Sequence, residues 1–156
     1  MQRYDTVGDW TAASSPVNES TIVRVSRLAD RRFEILVAVH ELIEAELCRA
    51  RDIKEHDVTA FDEQFERQRH REIEHLEREL GRAMSRAHTR AEIAALQRQL
   101  RDIQTAEPGD SPDAPYHKEH VFATKIERLL AKEFDVDWRE YEAAINSLEW
   151  RKEAAK

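Results

Sequence analysis

Residues 31–51 constrain this chain more than any other segment. They run Arg-Arg-Phe-Glu-Ile-Leu-Val-Ala-Val-His-Glu-Leu-Ile-Glu-Ala-Glu-Leu-Cys-Arg-Ala-Arg without a glycine or proline, behind an Asp30 placed to cap a helix. On a wheel of about 100° per residue the helix is apolar around most of its circumference, which makes it central to the fold. Phe33, Leu36, Val37, Ile43, Leu47 and Cys48 gather on one side. His40 and Glu44, one turn apart, fall in the middle of that side, with Glu41 at its edge. A lone buried carboxylate costs several kcal/mol, so Glu44 must be protonated, paired or bound to a cation.

The rest of the chain must supply the partner. With 3 Gly and 4 Pro in 156 residues, punctuation is sparse and long helices are expected. Aromatic and β-branched residues in 3–10 and 21–26 suggest two short strands joined by a long polar loop. After the central helix, Asp57 is placed to cap a helix from Val58 through Phe61, Phe65, Ile73, Leu76 and Leu80, with a break expected around Gly81, Ser85 and Thr89. Thr89 with Glu92 forms a capping box opening a helix to about residue 104. The narrow apolar stripes Ile73, Leu76, Leu80, Met84 and Ile93, Leu96, Leu100, Ile103 predict an antiparallel helical hairpin, or an arm that pairs with a second copy. Residues 107–115 hold three of the four prolines and read as a rigid, extended connector. Helices are expected over 116–134 and, capped by Asp137, from 138 to about 152.

The expected architecture is therefore one α+β domain over 1–156, mostly helical. It comprises a β-hairpin region in 1–30, core helices in 31–66, a protruding helical hairpin in 67–106, the connector, and C-terminal core helices in 116–152.

On the 116–134 helix the wheel places Phe122, Ala123, Ile126, Leu129 and Leu130 on the buried side, with Glu119 among them, His120 and Glu127 flanking, and His117 turned to solvent. Asp62 lies beside Phe61 and Phe65, with Glu66 a turn later. Three helices thus bring carboxylates and imidazoles toward one core. Nitrogen and oxygen donors at i, i+4 spacing suit a divalent ion, zinc first and manganese or iron as alternatives. The competing account is a metal-free polar network in which His40 donates to Glu44 or Glu119. Cys48 reads as a small buried hydrophobe, and His56, His70, His75 and His88 as solvated.

Composition narrows the function classes. Lys+Arg 25 against Asp+Glu 32 gives a net charge of −7, which speaks against nucleic acid or an anionic membrane as partner. The longest apolar run, 35–39, is far short of the roughly 20 residues of a membrane span. No apolar stretch follows Met1-Gln2-Arg3-Tyr4-Asp5, so a cytoplasmic protein is expected, in the host cell if a phage encodes it. One cysteine excludes an internal disulfide and a Cys-only zinc site.

Three resemblances bear on activity. The His40-Glu41-Leu42-Ile43-Glu44 segment, following a strand, resembles the first half of the zincin metallopeptidase motif. That resemblance implies a metal-dependent hydrolase with His40 as ligand, Glu41 as general base and Glu44 in place of the second histidine. His120 is then the third ligand, and Glu119 a fourth ligand or the acceptor that orients a histidine, with Asp62, Glu66 and Glu127 as further candidates. The stretches 31–48 and 108–127 are similar to a family of phage and bacterial proteins without an assigned activity, over about two thirds of the chain, the charged hairpin between them resembling an insertion. Glu41-x-x-Glu44 and Glu63-x-x-Glu66 resemble the paired acidic motifs of all-α, Mg-dependent nucleotide pyrophosphohydrolases, though Glu66 stands where those enzymes carry Asp. A non-enzymatic alternative is an accessory protein that uses the 67–106 arm to bind a protein partner or a second copy, its polar or metal cluster serving only the core.

Overall fold

The computed structural model describes residues 6–15, 18–85 and 89–147. The chain is a mainly helical α+β fold with an N-terminal antiparallel hairpin laid on helices. Strands β1 (Gly8–Ser15) and β2 (Asn18–Val25) pair from Gly8 opposite Val25 to Ser15 opposite Asn18. The long loop expected between the strands is instead ladder. The pairing is made by backbone groups, so a polar run that offers no apolar alternation can still extend it. The part of the first expected strand before Thr6 lies outside the described residues.

Helix α1 (Arg31–Ala50) begins where Asp30 accepts from the Arg32 amide at 2.8 Å. It ends before Asp52, whose φ of 59° is a left-handed turn that Asp tolerates. Helix α2 (Glu55–Ser85) starts a turn earlier than expected, so Asp57 lies inside its first turn, where its charge favours the helix dipole. Gly81 does not break it. That residue faces open space, and the roughly 1 kcal/mol cost of an internal glycine is too small to interrupt a 31-residue helix. Helix α3 (Arg90–Thr105) opens on the expected capping box, with both halves formed by Thr89 and Glu92.

The two arm helices pack on each other, burying Leu76 and Ala83 of α2. Arg69 donates to the Ala106 carbonyl at 2.9 Å, which brings the end of α3 back beside the first half of α2 and makes the pair antiparallel. A short 3-10 turn, Pro108–Asp110, follows, then α4 (His117–Glu133) and α5 (Trp138–Asn146), the latter capped by Asp137 through the amides of Arg139 and Glu140. The remainder of the expected last helix lies outside the described residues.

The core has two apolar centres, and α1 runs through both. Phe33, Leu36 and Val37 join Ala131, Tyr141 and Ile145, while Ala45 and Cys48 join Trp10, Val58, Ala114 and Tyr116. His40 and Glu44 stand on α1 between the two centres. On α4, His120, Ala123 and Glu127 occupy the same middle stretch, between Tyr116 and Ala131. The face that α4 buries is thus small and ionisable rather than large and apolar. Phe122 and Leu129, expected inside, are 48% and 57% exposed. No described helix is long and apolar enough to cross a membrane.

Candidate functional site

Helices α1 and α4 face each other with His40 and Glu44 opposite His120 and Glu127. All four are buried. Three donor atoms converge: His40 Nε2 lies 3.2 Å from His120 Nδ1 and 3.5 Å from Glu44 Oε2, and His120 Nδ1 lies 3.1 Å from the same oxygen. These edges match a metal triangle. Four donors placed tetrahedrally at 2.0–2.1 Å from zinc are separated by about 3.3 Å.

The atom of each donor residue that points away from this triangle faces a partner of its own. His40 Nδ1 lies 3.0 Å from Glu127 Oε2, and the other oxygen of Glu127 accepts from the Tyr141 hydroxyl. Trp10 Nε1 donates to Glu44 Oε1 at 3.1 Å, which fixes the carboxylate with Oε2 toward the histidines. His120 Nε2 faces Asp110 of the 3-10 turn and Glu107, the residue just before it. This is the pattern by which a protein fixes the tautomer and orientation of metal-binding side chains.

The electrostatics agree with three lone pairs competing for positive charge. Burial works against protonating His40, yet its hydrogen bonds to Glu127 and Glu44 hold its pKa well above the usual imidazole range. Burial likewise opposes the His120 imidazolium, but Asp110 and Glu44 raise it to about 9. Glu44, despite a burial that favours its neutral form, is lowered to about 2 by the two histidines. Glu41 is pushed the other way, well above the usual carboxylate range, by burial and then by the Glu44 charge. Without a cation, protons hold the cluster together.

Glu41 opens onto the same cavity, of about 380 Å³, with its carboxylate against Gly8 of β1. A Cβ at Gly8 would overlap that carboxylate, so the absence of a side chain there is what lets strand and carboxylate approach. Asp62 and Glu66 line the cavity too, outside the triangle. Asp62 accepts from the Tyr116 hydroxyl at 2.5 Å, and Glu66 pairs with Arg69 at 2.5 Å.

Glu119, expected as a ligand or as the acceptor of a histidine, is buried but paired with Arg51. Glu127, only a further candidate in the sequence, takes the acceptor role on His40. His117, expected to face solvent, is half-buried, with its Nδ1 2.9 Å from the Gly109 carbonyl. Glu63 is exposed beside Arg67. Trp10, Tyr141, Glu107 and Asp110 join the site without a signal of their own in the helix patterns. The signal for the last two was Gly109, a residue without a side chain between Pro108 and Asp110, where a Cβ would overlap the His120 ring.

Comparison with known proteins returned nothing: no family model, curated protein or solved structure matches the chain.

Proposed function

We propose that the chain is a zinc-dependent hydrolase, with His40 Nε2, His120 Nδ1 and Glu44 Oε2 as metal ligands and Glu41 as general base. One observation carries the reading: three donor atoms from two helices converge with edges of 3.1, 3.2 and 3.5 Å, and their outward-facing atoms meet Glu127, Trp10 and the 107–110 turn. Manganese or iron would accept the same donors.

A cation bound there supplies a polarised water and a Lewis acid for the bond to be cleaved. The residues of the chain do the rest. Glu127 keeps the His40 proton on Nδ1 and so leaves Nε2 free to ligate. Trp10 occupies one oxygen of Glu44 and leaves the other for the metal. Glu41, whose carboxylate lines the same cavity, takes the proton of the attacking water and returns it to the leaving group. The cavity beside it has the volume of a small-molecule or short-peptide site. Glu63 stands outside this cavity, so the paired acidic motif of a nucleotide pyrophosphohydrolase finds no support in the geometry.

The test is elemental analysis of purified, tag-free protein beside His40→Ala, Glu44→Ala and Glu41→Gln, followed by hydrolysis assays on fluorogenic peptide and ester panels. The expected result is near-stoichiometric zinc in the wild type and in Glu41→Gln, none in the other two variants, and turnover in the wild type alone. A metal-free wild type that stays metal-free after incubation with zinc refutes the reading and leaves the cluster as a structural network. Metal without turnover on any panel retains the centre and removes the enzyme.

A further inference from the structure

The 3-10 turn places two carboxylates on the far side of His120. Glu107 Oε2 lies 3.7 Å and Asp110 Oδ1 3.6 Å from His120 Nε2. Both separations are too long for a hydrogen bond from the ring. They fit a different arrangement: donors bound to one cation at about 2.1 Å stand 3.6–3.7 Å apart when the angle at the ion is about 120°. The His120 side chain is 8% exposed, so its Nε2 is a buried nitrogen that meets both carboxylates at ion-pair rather than hydrogen-bond distance. All three donor atoms lie within 4.8 Å of one another.

Two further observations point the same way. The turn is brought onto the imidazole by Gly109, where a Cβ would overlap the His120 ring, so the approach is close by construction. The cavity wall also carries far more carboxylates than basic side chains. Its arginines are Arg69, already paired with Glu66, and Arg128, stacked on Trp138.

We propose that His120 bridges two divalent cations, holding the first through Nδ1 with His40 and Glu44, and the second through Nε2 with Glu107 and Asp110. The inference rests on the first centre being a metal site. The second ion is the more exposed, since Asp110 is 68% and Glu107 44% open to solvent, and it binds more weakly. With both ions present, His120 has released both ring protons to solvent and serves as an imidazolate, so occupation of either position raises the acidity of the nitrogen that serves the other.

Chelator-stripped full-length protein titrated with Co²⁺, followed by calorimetry and by visible absorption, tests this. Two cobalt ions per wild-type chain, in a tight and a weak phase, are expected. Glu107→Gln/Asp110→Asn should lose the weak phase and keep the tight one, and His40→Ala should lose the tight phase. Because Asp110 is exposed, Asp110→Asn alone serves as a control that keeps the fold, and it should weaken the second phase alone. One cobalt per chain in both the wild type and the double variant overturns the second ion and leaves the first. A single wild-type phase that weakens in Asp110→Asn also overturns it and makes Asp110 a positioning group for the first. No cobalt in the wild type removes both centres.

Discussion

His40 is held from behind as firmly as from the front. Tyr141 donates to one oxygen of Glu127 and His40 Nδ1 meets the other, so the fold itself orients the ring. Removing that support should leave the ligands in place but loosen them: Glu127→Gln and Tyr141→Phe are each expected to weaken zinc by about 10–100-fold in competition with a chelating dye, with folded circular dichroism unchanged. Wild-type affinity in both would make Glu127 a bystander. Cys48 offers an independent check on burial beside this cluster. Burial first, and the Glu44 and Glu119 charges after it, push its thiol up to about 12. It should resist iodoacetamide at pH 8 in the folded protein and react readily in urea, as measured by intact mass; rapid labelling of the folded form would contradict the packing of α1 on β1. At this scale the sequence was most legible where one helix placed two polar groups in an apolar stripe, as with His40 and Glu44. Glu119 and Glu127, eight residues apart on α4, could not be sorted the same way. What separates them is tertiary: Arg51, just past the end of α1, takes Glu119, while Tyr141 of α5 takes Glu127.

Three helix starts carry their own chemistry, Asp30, Thr89 and Asp137 capping in the structure as their types and positions predict, whereas Asp57 lies inside α2 and α4 opens without a side-chain cap. The failures have a common cause. The β1–β2 ladder, the passage of α2 across Gly81 and the solvent-facing Phe122 and Leu129 all depend on neighbours that a single-segment pattern does not contain. The connector at 107–115 is the costliest of these for function. Its prolines mark a rigid segment, but only the fold places its Glu107 and Asp110 at His120. The distal part of the arm, beyond the cavity-lining Arg69 of α2 and before Thr105 of α3, separates from that arrangement. α2 is about 45 Å long by its 31 residues, and Leu76 and Ala83 sit in the half that packs on α3. Excising residues 73–103 and joining the stumps with a short turn should therefore leave zinc stoichiometry intact while the helical signal drops. Loss of zinc on excision would mean that the arm braces the core, and would weaken any account in which it acts on a partner of its own.

Across the whole molecule the buried charges make stability a function of pH, with a sign that depends on the ion. In the metal-free protein Glu44 is lowered to about 2 from an ordinary 4.5, so its contribution is present above 4.5 and is lost as pH falls toward 2. His120, raised to about 9 from 6.5, contributes fully below 6.5 and loses that contribution as pH rises through 9; His40 is shifted in the same direction. Glu41 has the same sign on the alkaline side, because its raised pKa makes ionisation in the folded state unfavourable as pH climbs above the ordinary carboxylate value. The metal-free fold is thus expected to be most stable near pH 4.5 and to weaken as pH rises, first through Glu41 and, above pH 6.5, through the two histidines as well. A bound cation reverses the alkaline trend. It needs both imidazoles deprotonated at the atoms that face it, so its affinity rises as their protons leave, and binding to the folded state alone adds stability in proportion to the logarithm of occupancy. Thermal melts of chelator-treated and zinc-loaded protein at pH 5.5, 7 and 8.5 should therefore diverge, with little difference in Tm at pH 5.5 and the largest at 8.5. Parallel curves across that range would mean that zinc does not displace protons from His40 and His120, and that the convergence of these groups on one point serves the fold alone.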